Sequence, residues 1–162
     1  MKFDWNCLSS DHQGIMRVYV GTVKRPADRI ICGPDGEPFL YRWHVVPKNK
    51  RANVFFEVLT RSDPNPHFHD APWGFRTQVL ARSVWFETHR AGTAFRTEDK
   101  CYAGSGFSSL SPHRLGLAVS DPALLLTLTG PRERDWGFYV DGVFVPHDKY
   151  LQQQKETADV KG

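Results

Sequence analysis

The chain has 162 residues, 40% hydrophobic and 24% charged, with a formal net charge of +3. That suits a single soluble domain spanning 1–162 with its own core, and it argues against a broad nucleic-acid surface, which needs a larger basic field. There is no run of about 18 apolar residues to span a membrane. Met1–Asn6 lacks a signal-peptide core, and three scattered cysteines (Cys7, Cys32, Cys101) argue against a disulfide framework, so a reducing, cytoplasmic setting is expected.

Residues 1–12 read as an arm. Met16–Val23 reads as a strand, with Val18, Val20 and Thr22 on one side. Arg29–Cys32 is short and runs into the turn signal Gly33-Pro34-Asp35-Gly36. Leu40–Val46 and Asn53–Thr60 are rich in aromatic and branched residues and read as strands. Between them Lys48, Lys50 and Arg51 form the densest basic cluster, which reads as a solvated turn. A proline-punctuated bend, His67–Trp73, precedes strands near Phe75–Leu80 and Ser83–Thr88. Ala94–Thr97, Tyr102–Phe107, His113–Val119 and Leu124–Thr129 continue the series. Asp141-Gly142 between two apolar triplets marks a tight hairpin. Pro146–Glu156 has helical propensity, and 157–162 reads as a frayed tail. About ten short strands and one terminal helix predict an all-β sandwich or barrel.

The chemistry is concentrated in Asp63-Pro64-Asn65-Pro66-His67-Phe68-His69-Asp70. On an extended segment His67 and His69 point to one side, and two imidazoles on one face can share a metal ion. His113 shares strand parity with Leu115 and Leu117, so it faces inward if they do. The spacing predicts that His113 meets His67 or His69, with ring nitrogens about 3 to 4 Å apart for metal–nitrogen bonds of about 2.0–2.1 Å. Against this, Asp63 and Asp70 can be simple turn residues, and Glu87 an exposed strand residue. Arg114 should face away from His113. Arg134 can clamp an anion or belong to a self-neutralised turn with Arg132, Glu133 and Asp135. Trp73 and Trp136 can line a ligand mouth or seal the core. No nucleophile elbow or phosphate loop is present.

An early His-x-His, a hairpin and a late lone His resemble the cupin family, small jelly-roll β-barrels with metal ligands inside. The first motif corresponds to Pro66–Ser83 and the second to Gly106–Gly116. A Glu usually follows the second His, and a Gly closes the first motif. Here Trp73-Gly74 stands near the Glu position and Ala81-Arg82-Ser83 near the closing Gly. Over Leu40 to Tyr150 the chain is similar to small cupin-like proteins of phages and bacteria. The likeness rests on Arg42-Trp43, Arg61-Ser62-Asp63, His69-Asp70-Ala71-Pro72-Trp73-Gly74-Phe75, Trp85-Phe86-Glu87, Pro112-His113-Arg114-Leu115, Leu126–Pro131 and Arg134–Phe138. Those proteins more often carry a His where this chain has Ala71.

The resemblance implies an all-β cupin-type jelly roll with a short C-terminal helix. It implies a divalent metal (Fe, Zn or Mn) held by His67, His69 and His113, with Asp70 or Glu87 replacing the missing Glu as ligand or general base. A small polar molecule would be held near Trp73, Arg114, Arg134 and Trp136, and the reaction would be oxygenation, isomerisation or hydrolysis. A second reading is a non-catalytic ligand-binding or host-interaction module, in a phage-like context, that keeps the barrel without a working metal site. Exposed sheet edges make a homodimer an expectation of either reading.

Overall fold

The computed structural model describes residues 2–21, 25–89, 96–109 and 111–160. In chain order, helix α1 (Ser10–Val20) is followed by β1 (Arg29–Cys32), β2 (Pro38–His44), β3 (Asn53–Leu59), β4 (Phe68–His69), β5 (Phe75–Ala81) and β6 (Ser83–His89). Then come β7 (Arg96–Tyr102), β8 (Gly106–Ser109), β9 (His113–Leu117), β10 (Ala123–Thr129), β11 (Gly137–Val140), β12 (Val143–Pro146) and helix α2 (His147–Val160). The strands form two six-stranded antiparallel sheets, one ordered β1-β2-β3-β10-β5-β8 and the other β12-β11-β4-β9-β6-β7. Among the described residues no helix is long and apolar enough to cross a membrane.

Strand alternation divides the first sheet into two faces. Leu40, Leu59, Val79 and Leu125 face the second sheet and pack there with Val84, Phe86 and Cys101. Tyr41, Trp43, Phe56, Val58 and Leu124 face outward and are covered by Phe3, Leu8, Met16 and Val20. Both faces are therefore apolar, which is why β3 and β10 read as nearly continuous hydrophobic runs.

That outer cover corrects two sequence expectations. Residues 2–12 are not a loose arm, because Phe3 and Leu8 are buried against the Tyr41–Trp43 aromatic surface; residue 1 lies outside the described residues. Met16–Val23 is not a strand: Ser10–Val20 is helical, and 22–24 lie outside the described residues. The Ser9 hydroxyl accepts from the His12 amide, and Gly21 ends the helix at φ 78°, a left-handed position that glycine adopts without a Cβ clash. The buried residues His12, Met16 and Val20 recur every four positions, a helical period.

Smaller corrections follow the chain. Arg96–Tyr102 is one strand where two partial ones were expected, and 94–95 lie outside the described residues. The Ala81-Arg82-Ser83 corner holds Arg82 at φ 65°, so the position where the cupin motif closes on Gly keeps a left-handed backbone without the glycine. Helix α2 continues to Val160, through most of the expected tail.

Candidate functional site

Strand β4 is only two residues long, yet it places His69 directly opposite both His113 of β9 and Phe138 of β11. Thr88 is the β6 partner of His113 and Phe86 that of Leu115, so His113 shares the inner face with Phe86. Its ring packs between Phe86 and Phe75, the latter from the opposite sheet. His69 and His113 have ring centroids 4.7 Å apart. The two imidazoles thus meet between the sheets.

Asp63 completes the cluster from the loop before β4. Its Oδ2 accepts from His69 Nε2 at 3.1 Å, and its Oδ1 accepts from the Asn65 amide and from Asn65 Nδ2 at 2.9 and 2.6 Å. Burial works to raise the Asp63 pKa. The hydrogen bond and charge of His69 and the two Asn65 donors outweigh it, and the net shift is downward. His113 Nδ1 donates to the Ser111 carbonyl at 3.0 Å, which leaves its Nε2 with the lone pair. Burial, reinforced by the charge of His69, holds His113 down to about 3, so it is the neutral imidazole, the form that ligates a metal.

Aromatic groups from the C-terminal segment cover the cluster. Trp136 lies edge-on to His69 and stacks on His147 of α2, with centroids 4.5 Å apart in the second contact. Tyr150 of α2 stacks on Phe138 at 3.9 Å and is 1% exposed, and its hydroxyl has no hydrogen-bond partner among the described residues. Burial, aided by the negative charge of Asp63, raises the Tyr150 pKa.

The other expected site residues are placed elsewhere. His67 lies just outside β4 and turns its ring edge-on to Tyr150, so the His67–His69–His113 trio is not assembled. The carboxylate of Asp70 accepts from the Gly137 amide at 2.9 Å and ties β4 to β11. Glu87 and Arg114 are cross-strand partners, 4.0 Å apart, on the face opposite His113. The Arg114 guanidinium lies over Phe68. Arg134 donates to the Ala71 carbonyl at 3.0 Å and approaches Asp70 at 3.9 Å. Trp73 packs against Phe55. Of the expected ligand-lining residues, Trp136 is the one in ring contact with the histidine pair.

The inner face also holds a polar cluster that the sequence reading overlooked. Glu57, 4% exposed, receives Arg42 through Nε and Nη2, each at 2.6 Å, and the Thr127 hydroxyl at 2.5 Å. Thr77 pairs with Thr127 at 2.8 Å. A lone Glu within Phe55-Phe56-Glu57-Val58-Leu59 was the available signal, because a charge buried in an apolar strand requires a partner.

No protein-family model matches the chain, and no curated protein matches it by sequence. Its architecture does match solved structures. Oxalate decarboxylase of Lactobacillus farciminis is similar over 70% of this chain and 33% of its own, at 10% identity and a TM-score of 0.50.

The fold is that of the cupins.

Weaker likenesses include a putative mannose-6-phosphate isomerase of Ralstonia eutropha, at 15% identity, 59% and 88% coverage and TM-score 0.49. The cupin domain of a transcriptional regulator from Enterobacter cloacae is similar at 13% identity, 58% and 98% coverage and TM-score 0.44. The donor types in the cluster of His69, His113 and Asp63 are two imidazoles and one carboxylate, a set suited to iron, zinc or manganese. The donors are not converged: among the described residues no group of three or more His, Cys, Asp or Glu is arranged to hold a metal ion. The 3.1 Å between His69 Nε2 and Asp63 Oδ2 is a hydrogen bond. It is also about the spacing of two neighbouring ligands at 90° on one ion with bonds of about 2.1 Å.

Proposed function

We propose that the protein is a metal-binding cupin in which His69, His113 and Asp63 hold a divalent ion and present it to a small polar molecule. The observation that carries this reading is the register that sets His69 directly opposite His113 between the sheets, with a buried carboxylate on His69. A bound ion would supply Lewis-acid chemistry, or redox chemistry if it were iron. The chain's own contributions are distinct. His113 stays neutral and ready to ligate across the physiological range, Asn65 fixes the Asp63 carboxylate, and Trp136 packs its ring against His69.

A specific observation favours the second reading, a barrel that binds or interacts without turnover. His67 has left the histidine group for Tyr150, and the His69–Asp63 hydrogen bond already satisfies two of the proposed donors. Metal capture has to displace that bond.

The deciding experiment is metal analysis of untagged protein, followed by calorimetric titration of the metal-free form with Zn, Mn and Fe(II). Binding of one ion per chain, lost in His113→Ala while the circular dichroism spectrum is kept, supports the metal centre. No uptake by the wild type favours the second reading.

A further inference from the structure

Among the described residues the two sheets end in four edge strands, β1, β8, β12 and β7, and three of them are guarded against further pairing. β7 exposes the charged residues Glu98, Asp99 and Lys100. β8 carries one large apolar side chain, Phe107, and that ring is turned in against Phe86 at 4.2 Å. β1 is bulged between Ile31 and Cys32, and both of its isoleucines pack against the core. β12 has none of these devices. Val143-Phe144-Val145-Pro146 is uncharged, and Val143 and Phe144 are 66% and 40% exposed. Helix α2 packs on the hairpin where Tyr150 stacks on Phe138, and it leaves those two side chains in solvent.

The register shows which backbone groups of β12 are open. Val140 and Val143 flank the two-residue turn Asp141-Gly142, and Tyr139 stands opposite Phe144. The residues that flank such a turn are a hydrogen-bonded pair, and antiparallel pairing alternates from there. Val143 and Val145 therefore turn their N–H and C=O groups to β11. Phe144 turns both of its groups outward. Pro146, the next outward residue, has no N–H to leave open. The open edge is thus centred on one residue, and that residue is complementary to itself. About a two-fold axis at Phe144, the Phe144 N–H of each copy donates to the Phe144 C=O of the other. The same register brings the Gly142 N–H to the Pro146 C=O and sets Val143 opposite Val145. No like charges are opposed, because 142–146 is uncharged. Phe144 already contacts Tyr139, with ring centroids 5.6 Å apart, so self-pairing joins two aromatic pairs into one row across the axis.

We propose that β12 is the self-association edge of the protein: two copies pair β12 with β12, antiparallel about Phe144, and the sheet that carries the histidine pair runs on through both. An isologous contact of this kind closes on itself and offers nothing to a third copy. Four residues per strand make a small contact, so the dimer dissociates on dilution. None of the residues assigned to the metal takes part.

The test is sedimentation velocity of the whole chain over a concentration series from micromolar to millimolar. A species of twice the chain mass, growing with concentration, is expected. Phe144→Lys should weaken self-association about tenfold or more, because opposed like charges replace the aromatic pair. Val143→Lys, on the other face of the same strand, should weaken it as well, and each variant is checked for a native circular dichroism spectrum. Phe144→Cys, made with Cys7→Ser and Cys32→Ser, should give a covalent dimer on oxidation. The Cα atoms of a hydrogen-bonded antiparallel pair are about 5.5 Å apart, within disulfide reach. His113→Ala should associate as the wild type does, so the outcome is separate from that of the metal centre. A wild type that stays monomeric throughout the series overturns the proposal. So does association undiminished in both lysine variants, or the absence of a covalent dimer from Phe144→Cys.

Discussion

Two buried polar clusters line this barrel, one on each sheet, and they are built differently. The Arg42–Glu57–Thr127–Thr77 cluster sits on neighbouring strands β2, β3, β10 and β5, and its members bond to each other across the ladder. Arginine does not titrate in the accessible range, and its carboxylate partner accepts three hydrogen bonds. The His69–His113–Asp63 cluster sits on a two-residue strand, its neighbour and a loop. Its imidazoles can exchange a hydrogen bond for a ligand. The first cluster holds the sheet together with fixed charges. The second has the adjustable groups, placed where the chain is least regular.

The comparison predicts the largest effect on stability for the fixed cluster. Glu57→Ala leaves Arg42 without its partner beside buried Phe55, and should cost about 3–5 kcal/mol in chemical denaturation. A cost below about 1 kcal/mol would show the pair to be solvated.

The adjustable cluster should instead reveal itself through pH. His113 is depressed from 6.5 to about 3 in the folded state. Between those values the unfolded chain binds the extra proton, so this contribution is complete above about pH 6.5 and is lost as pH falls toward 3. The expected slope approaches about 1.4 kcal/mol per pH unit by about pH 5.5, where the unfolded imidazole is almost fully protonated. His113→Gln should flatten that slope, and an unchanged slope would assign it to other groups. Asp63, whose folded pKa is lowered, adds a loss only below its ordinary range near 3.8.

The smallest effect is expected at the cover. The Tyr150 hydroxyl is buried without a partner among the described residues, so Tyr150→Phe should be neutral or stabilising by less than about 1 kcal/mol. A loss above about 1.5 kcal/mol would mean that the hydroxyl is bonded.

These differences also explain what was legible in the sequence. The jelly roll could be read because β-branched and aromatic runs alternate with Gly, Pro and Asp turns, and because His113 shares parity with Leu115 and Leu117, which pack against the core. Helix α1 was hidden because Val18 and Val20 mimic strand alternation, although Ser9, Gly21 and the spacing of His12, Met16 and Val20 carry the helical signal. At the site, His69 and His113 follow from motif order. His67 does not join them because β4 begins only at Phe68, so strand parity does not fix its direction. Asp63 was readable only as a turn residue. Its contact with His69 spans six residues across two prolines, a loop path that no periodicity encodes.

The central claim is that Asp63, not His67, completes the histidine pair. The most direct measurement is metal affinity by calorimetry for Asp63→Asn and His67→Ala, each checked for a native circular dichroism spectrum. The account predicts at least a tenfold loss in Asp63→Asn and wild-type affinity in His67→Ala. The reverse pattern, with affinity kept without the Asp63 carboxylate and lost without the His67 imidazole, would contradict it.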